Sequence, residues 1–197
     1  SVEGDFSHAA FWLAAGTLGG GAALSGLKKE SKQGDAKIAE LLRRMGATVE
    51  WFGDKLHAVP SKLRGTEIDV SQTPDLFPIL AVLAACAEGE TRLINAARLR
   101  IKESDRLAAM AAELSALGAE VKEGTDSLTV AGGGGLRGGA ASAHNDHRIA
   151  MSLAVAASAC GGELTIDDAN CVKKSAPGFW NEYRAMGGSF EMDKEAQ

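Results

Sequence analysis

The sequence predicts an α/β fold in which one βαβαββ unit is used three times around a core of buried helices. Aspartates at regular spacing each open an apolar stretch, at Asp5, Asp75 and Asp146. Glycines at nearly the same spacing each close a later amphipathic stretch, at Gly46, Gly118 and Gly187. A period of about 70 residues indicates a repeated supersecondary unit. With 197 residues, 45% of them hydrophobic, the chain can bury one substantial core.

The second unit, residues 65–136, shows the predicted order of elements best. We predict a strand, a helix, a strand, a helix and a hairpin over residues 66–70, 76–87, 90–95, 104–117 and 119–130. Pro74 and Asp75 both suit the first turn of a helix. The helix that follows is apolar nearly all round, so it should be buried on every side. Gly118 suits a left-handed cap at the end of the amphipathic helix.

The first and third units, residues 1–64 and 137–197, repeat this order. The helices predicted in them cover residues 6–16, 35–45, 146–160 and 178–186. The first unit has its hairpin about Gly53-Asp54. The third ends after one strand, residues 189–192, so its last hairpin has no second strand. Because an unpaired edge is costly, we expect a partner strand from outside the chain. Without an initial Met, the chain is expected to be a piece of a longer protein.

The composition excludes several classes of protein. A formal net charge of −5 argues against non-specific binding of nucleic acid or anionic membranes. No signal peptide is visible, and the longest apolar run, residues 76–87, is too short to span a bilayer. The three cysteines lack the spacing of a disulfide framework or a zinc site. We therefore expect a cytoplasmic protein with reduced cysteines and no metal.

One charge cluster departs from the repeat pattern. Residues 102–106 read Lys-Glu-Ser-Asp-Arg where a helix begins. Ser104 is a plausible N-cap, and the acids suit the positive end of the helix. Lys102 and Arg106 do not, since cations are unfavourable at a helix N-terminus. The cluster is either solvated and self-paired or part of a site that needs cations and an acid together.

Other candidates also have two interpretations. Asp75 is either a charge that stabilises its helix or a carboxylate placed to accept a proton. His147 and Arg148 begin an apolar helix, and Arg148 either binds an anion or pairs with Asp146 at the surface. Lys174 belongs to a pair of loop lysines, which are usually solvated. In a threefold arrangement the helix starts can converge, which predicts an anion site without metal-ligand spacing.

Several strings resemble signatures of the 5-enolpyruvylshikimate-3-phosphate synthase family. They lie at residues 2–5, 73–75, 100–107, 145–151 and 171–175. The resemblance covers essentially the whole chain but only the C-terminal half of that enzyme. It implies the family's enolpyruvyl transferase-like fold, an inside-out α/β barrel. It also implies that the chain is a single C-terminal lobe, with the active site in the cleft beside an N-terminal domain that is absent here.

The resemblance implies a reaction as well as a fold. Members of the family transfer the enolpyruvyl group of phosphoenolpyruvate to the 5-hydroxyl of shikimate 3-phosphate, release phosphate, and need no cofactor. Asp75 resembles the carboxylate that deprotonates this hydroxyl, and Glu103 the group that moves a proton at the methylene carbon. The residues implied to contact the substrates are Lys102, Arg106, His147, Arg148 and Lys174.

Three alternatives remain at the level of the sequence. A UDP-N-acetylglucosamine enolpyruvyl transferase fits residues 102–106 poorly. A non-catalytic binding module of the same fold would be expected to lack Asp75, Glu103 or Arg148, which are all present. An RNA-end-processing enzyme of similar architecture should have a basic surface, which a net charge of −5 disfavours. Under the leading hypothesis the chain alone is inactive, because half of the site is missing.

Overall fold

The computed structural model describes residues 2–192, and its elements follow the predicted alternation. In this range the α-helices are α1 (Phe6–Leu18), α2 (Ile38–Arg44), α3 (Phe77–Cys86), α4 (Arg106–Ala116), α5 (His147–Ala157) and α6 (Phe179–Ala185). The strands are β1 (Ala22–Leu24), β2 (Thr48–Phe52), β3 (Lys55–Val59), β4 (Glu67–Asp69), β5 (Gly89–Ile94), β6 (Glu120–Glu123), β7 (Leu128–Gly132), β8 (Gly139–Ser142) and β9 (Leu164–Asp167). The predicted helices and both predicted hairpins are therefore confirmed.

The first helix of each unit lies in the centre of the molecule. Helices α1, α3 and α5 pack against one another, and the sheets and later helices surround them. Almost every residue of α3 is buried, which explains why its sequence is apolar on all sides. This packing brings the N-terminal ends of the three helices near one another.

The strands form three sheets, and the sheet of the second unit is the largest. Its order is β4-β5-β7-β6, with β4 and β5 parallel and the other pairs antiparallel. The first unit has the order β1-β3-β2, entirely antiparallel, and the third has only the parallel pair β8-β9. Each later helix then ends at a glycine with positive φ. These glycines are Gly46 (93°), Gly118 (91°) and Gly187 (95°), as the caps require.

One predicted strand is not present among the described residues. Residues 189–192 contain no strand, which corrects that prediction. An alternating sequence does not form a strand without a neighbour, and no described strand lies beside this segment to supply its hydrogen bonds. Residues 2–4, which precede α1, also form no strand. Between residues 2 and 192, only the second unit thus contains all four strands of the repeat.

None of the helices between residues 2 and 192 combines the length and the apolar character needed to cross a bilayer.

Candidate active site

Each of the three central helices starts beside an aspartate, but the three aspartates bond differently. Asp5 accepts a hydrogen bond from the Ser7 backbone N–H at 2.8 Å and caps α1. Asp146 accepts one from the Arg148 backbone N–H at 2.9 Å and caps α5. Asp75 makes no capping bond and lies within a 3₁₀ turn, Pro74–Leu76, that leads into α3. Its carboxylate is therefore free to face other units.

Arg106 connects the second and third units at the centre of the site. Its side chain is only 2% exposed. Nε donates to Oδ2 of Asp146 at 2.7 Å, and Nη2 donates to Oδ1 at 3.3 Å. Nη1 donates to Oδ1 of Asp75 at 2.8 Å. The planar guanidinium therefore holds two carboxylates at once, an arrangement that a lysine cannot reproduce.

Asp75 faces three cations. Besides Arg106, Nζ of Lys102 lies 3.4 Å from Oδ1, and Nη2 of Arg148 lies 3.3 Å from Oδ2. Burial alone would raise the pKa of Asp75, but Arg148, Arg106 and Lys102 together lower it below its ordinary value. The carboxylate therefore stays ionised at neutral pH, as a proton acceptor requires.

Asp146 is fully buried, and every contact it makes stabilises its charged form. In addition to Arg106, Oδ2 accepts a hydrogen bond from the Ser104 hydroxyl at 3.1 Å. Burial acts to raise the pKa of Asp146, yet the hydrogen bonds and charge of Arg106 hold it below its ordinary value. Asp146 is not among the site residues predicted from the sequence, although it is the most buried carboxylate of the cluster.

Glu103 and His147 lie together at the exposed side of the cluster. Nδ1 of His147 is 2.9 Å from Oε2 of Glu103, but the ring is not aligned for a hydrogen bond and Nδ1 has no hydrogen-bond partner among the described residues. Glu103 also lies 3.9 Å from Nη2 of Arg106 and is 45% exposed. Burial lowers the pKa of His147, and the positive charge of Arg148 adds to this effect. A neutral imidazole beside an accessible carboxyl group suits proton transfer.

Lys174 joins the site through the turn that precedes α5. Its Nζ donates to the backbone carbonyl of Asn145 at 2.6 Å and to the Asn145 side-chain oxygen at 2.8 Å. Lys174 lies at the end of a 3₁₀ turn, Ala169–Lys174, rather than in the irregular loop that the sequence suggested. The ammonium group is thus held at the start of the helix that carries His147 and Arg148.

The structure therefore brings most of the predicted site residues into one connected cluster. The connected residues are Asp75, Lys102, Glu103, Arg106, His147 and Arg148. Lys174 reaches them through Asn145. The interpretation of residues 102–106 as a solvated, self-paired cluster is wrong, since Arg106 is buried and pairs with Asp75 of its own unit and Asp146 of the third. The surface pair of Asp146 with Arg148 is also wrong, because the Asp146 carboxylate meets the Arg148 backbone and the Arg106 side chain.

The N-cap of α4 is a further correction. Asp105, not Ser104, caps the helix by accepting the Ala108 backbone N–H at 3.0 Å. Asp105 also accepts a hydrogen bond from Arg100 at 3.0 Å. Ser104 is instead directed towards Asp146. Both residues are good cap formers, so the sequence alone could not decide between them.

A possible ligand trio and a thiol also lie in this region. The ligand atoms of Glu103, Asp146 and His147 lie within 4.8 Å of one another. The Asp146 oxygens already accept hydrogen bonds from Arg106, Ser104 and a backbone N–H, so we assign no metal ion to this trio. Burial raises the pKa of the Cys171 thiol to about 11, which makes it a poor nucleophile.

The fold defines a class of protein. The chain superposes on the enolpyruvyl transferase NikO from Streptomyces tendae with a TM-score of 0.70 and 23% identity, over 95% of this chain and 44% of that chain. At that identity the likeness establishes the architecture alone, which is that of the enolpyruvyl transferases. It superposes on EPSP synthase from Acinetobacter baumannii with a TM-score of 0.88 and 32% identity, over 98% of this chain and 48% of that chain.

The sequence narrows the class to a family. A family model described as EPSP synthase (3-phosphoshikimate 1-carboxyvinyltransferase) matches residues 1–183. The 3-phosphoshikimate 1-carboxyvinyltransferase of Clostridium kluyveri is 51% identical over 191 residues, which cover 97% of this chain and 45% of that protein. The chain therefore belongs to the EPSP synthase family, and it spans about half the length of the curated relatives it matches.

Proposed function

We propose that the protein containing this chain transfers the enolpyruvyl group of phosphoenolpyruvate to the 5-hydroxyl of shikimate 3-phosphate and releases phosphate. The chain is then the C-terminal lobe, with repeats at about residues 1–64, 65–136 and 137–197, and we expect a cytoplasmic location. One observation carries the proposal. An ionised carboxylate, Asp75, faces three cations beside an accessible acid, Glu103, in a chain that belongs to the EPSP synthase family.

The cations suit phosphoenolpyruvate, which carries both a carboxylate and a phosphate group. Arg148 presents a fork that can bind either group through two parallel hydrogen bonds. Lys174 and Lys102 supply point charges, and His147 adds a possible donor beside Arg148. Arg106 holds Asp75, so a direct contact with phosphoenolpyruvate would require its Nη1 to leave that carboxylate. Binding of the substrate and release of Asp75 are then coupled.

Asp75 acts as the base in this proposal. It accepts the proton of the 5-hydroxyl while the oxygen forms a bond to C2 of phosphoenolpyruvate. In the unliganded protein Arg148 and Lys102 lower the pKa of Asp75. When these cations bind the anionic substrate, its negative charge offsets part of their positive charge. They then stabilise the Asp75 carboxylate less, so the pKa of Asp75 rises towards its ordinary value. The carboxylate becomes a stronger base when phosphoenolpyruvate is in place.

Glu103 acts on the methylene carbon. It delivers a proton to C3 as the new bond to C2 forms, which gives a tetrahedral intermediate that carries both the shikimate oxygen and the phosphate. Glu103, now a carboxylate, takes a proton back from the resulting methyl group, which restores the double bond as the C2–O bond to phosphate breaks. The proton that Asp75 took from the hydroxyl leaves with the phosphate, so both carboxyl groups return to their starting states. The nearby cations stabilise the charge on the departing phosphate. The steps balance without a cofactor.

The cluster described here is half of such a site. The resemblance assigns further cations and the pocket for the shikimate phosphate to the N-terminal domain of the same protein, which we propose as the main partner of this chain. The length of the relatives, about twice that of this chain, supports a two-lobed protein. We therefore expect no measurable turnover from the isolated chain.

The experiment that tests the proposal measures phosphate release from phosphoenolpyruvate by the full-length protein. Release that depends on shikimate 3-phosphate supports the proposal, and Glu103→Ala should then lower kcat more than it changes either KM. Release that depends on UDP-N-acetylglucosamine would move the protein to the related transferase. A folded protein that releases no phosphate with either acceptor would point to a non-catalytic module.

Turnover by residues 1–197 alone would contradict the half-site proposal, whatever the acceptor. The matched control is the same chain with Asp75→Asn, which removes the base but leaves the shape of the side chain. If both chains release phosphate at the same low rate, the release comes from contamination or from uncatalysed hydrolysis.

A further inference from the structure

A pair of polar residues outside the reacting cluster joins α4 to the turn that precedes α5. Glu113 of α4 is 8% exposed. Its Oε2 accepts a hydrogen bond from the Ser142 backbone N–H at 2.9 Å, and its Oε1 lies 2.6 Å from Nε2 of His144. A buried carboxylate is costly unless it has partners. Here both partners belong to the segment that leads to Asp146.

The turn held by this pair has an unfavourable backbone. His144 and Asn145 are consecutive non-glycine residues with φ of 50° and 54°, in the left-handed region. Such a conformation persists only where its surroundings enforce it, and it is concentrated at functional sites. The backbone N–H of His144 donates to the Ser142 hydroxyl at 3.1 Å. Glu113 therefore fixes the turn at its start and at its strained centre.

The same turn positions two parts of the candidate active site. The carbonyl that Lys174 binds belongs to Asn145, the second left-handed residue. The next residue, Asp146, caps α5 and holds Arg106 in place. A change in φ at residues 144–145 would move the Asn145 carbonyl and rotate the start of the helix that carries Arg148. The strained turn thus lies between a buried acid and the cations of the site.

We infer that Glu113 and His144 are positioning residues for phosphoenolpyruvate binding, which they support by holding the turn that orients Lys174 and the start of α5. The inference rests on the proposed function. Neither residue touches the reacting atoms in this scheme. Their loss should weaken the binding of the anion that Lys174 and Arg148 contact, and should have less effect on the acceptor.

A second glutamate provides a matched control. Glu182 lies five residues before Gly187, as Glu113 lies five residues before Gly118. It also contacts a histidine, since its Oε2 is 2.7 Å from Nε2 of His8. That contact joins α6 to α1 and does not involve a left-handed turn. Glu182 is more exposed than Glu113, and it also accepts a hydrogen bond from Nε1 of Trp12 at 3.1 Å. Glu182→Gln therefore removes the charge from a glutamate–histidine pair that makes no bond to Lys174.

The test uses the full-length protein with Glu113→Gln, His144→Ala and Glu182→Gln. We expect the first two to raise the KM for phosphoenolpyruvate about tenfold, the effect of losing one hydrogen bond to a charged group. The KM for shikimate 3-phosphate should stay within about twofold, as should both constants in Glu182→Gln. An unchanged KM for phosphoenolpyruvate in both Glu113→Gln and His144→Ala would overturn the inference.

A double-mutant cycle separates positioning from general loosening of the structure. If His144 acts through Lys174, His144→Ala should add less than about twofold to the KM of a Lys174→Ala protein. If the KM of the double variant instead rises by the product of the two single fold-changes, His144 does not act through Lys174. His144→Asn is the conservative variant, because asparagine tolerates the left-handed conformation, and it should recover part of the loss.

Failure of the proposed function remains distinguishable from failure of this inference. If the wild-type protein releases no phosphate with shikimate 3-phosphate, the proposed function is wrong. A crystal structure of the His144→Ala protein then still reports on the turn without any substrate. An unchanged backbone at residues 144–145, with Lys174 still bound to the Asn145 carbonyl, would overturn the inference. A flipped turn with Lys174 displaced would support it.

Discussion

The first helix of the first unit and that of the second each begin beside an aspartate, but the two aspartates have different roles. Asp5 caps α1 through the Ser7 backbone N–H. Asp75, at the corresponding place, caps nothing and instead faces Arg106 and Arg148. The difference has a local cause. In the second unit Thr73 occupies the N-cap position and a proline follows it, so Asp75 lies within the first turn and not at the cap.

The aspartates that stabilise the fold are thus different from the aspartate that we propose as the base. The repeat places three helix N-termini together, and two of its aspartates serve their own helices. The third is released from that task by one proline, and the cations that surround it come from other elements: Lys102, Arg106 and Arg148. A repeated fold thus supplies the geometry, whereas the departures from the repeat supply the groups that we propose take part in the reaction.

The largest expected effect comes from exchanging the two aspartates for asparagine. Asp75→Asn in the full-length protein should lower kcat by about 10²- to 10⁴-fold, because a general base is lost. Asp5→Asn should leave kcat within about twofold, because asparagine is as good a cap as aspartate. Steady-state phosphate release measures both. Equal loss of activity in the two variants would mean that the aspartates share a structural role.

A smaller but still large effect is expected on stability when the central arginine is removed. Arg106→Ala leaves the fully buried Asp146 without its cation and should lower the free energy of unfolding by about 3–5 kcal/mol. Arg92→Ala breaks an exposed pair with Glu67, in which both side chains are 52% exposed. It should cost at most about 1 kcal/mol.

Urea unfolding of the full-length variants compares the two arginines directly. A similar loss of unfolding free energy in Arg92→Ala would show that the burial of Arg106 does not increase its contribution to stability. Arg106→Lys sharpens the result, since a lysine keeps the charge but cannot bridge Asp75 and Asp146 together. The free energy of unfolding of Arg106→Lys should lie between those of the wild type and Arg106→Ala.

Arg148 should affect binding more than turnover. Arg148→Ala removes a fork suited to phosphoenolpyruvate and should raise its KM by roughly tenfold to a hundredfold. The KM for shikimate 3-phosphate should change much less. Arg137→Ala, an arginine outside the cluster, is the matched control and should change neither constant. Initial-rate kinetics with each substrate varied in turn measures both constants. A larger rise in the KM for shikimate 3-phosphate than in that for phosphoenolpyruvate would assign Arg148 to the acceptor instead.

The smallest expected effect concerns pH. The pKa of Asp146 is lowered in the folded state, so its contribution to stability is present above the ordinary value of 3.8 and is lost as pH falls through the folded value. The pKa of Asp35 is raised, chiefly by burial, although it accepts a hydrogen bond from the Ser7 hydroxyl. Its contribution is complete below 3.8 and is lost as pH rises through the folded value.

The two carboxylates should therefore give opposite pH trends. Relative to the wild type, Asp35→Asn should become more stable as pH rises from 3 to 7 (roughly the range that brackets carboxylate titration). Asp146→Asn should become less stable over the same range. Urea unfolding at several pH values measures both differences. Parallel trends would contradict the assigned directions of the pKa shifts.

Local signals in the sequence were enough to predict most of the secondary structure. Glycines with positive φ end the later helices where the sequence placed them, and the hairpin about Gly53-Asp54 is present. These features depend on residues close together in the chain. The predicted strand at residues 189–192 is wrong, because a strand needs a neighbour that no local pattern can supply.

The site could be predicted only in part, because its contacts join residues that are far apart in the chain. Charges that broke the repeat identified Arg106 and Arg148, but not their partners. Asp146 looked like another helix cap, and its bond to Arg106 joins residues 40 positions apart. The contact between Glu113 and His144, at a separation of 31, could not be anticipated either. A glutamate at an apolar position of the amphipathic α4 was the one available signal.

The packing of α1, α3 and α5 against one another has a consequence for how the chain acquires its structure. Strands of the first unit cover α1 only in part, so α1 keeps some apolar surface exposed until α5, more than a hundred residues later, has been synthesised. Contacts of such long sequence separation slow folding and leave sticky intermediates during translation. The third unit is thus the one that completes the core of the described chain.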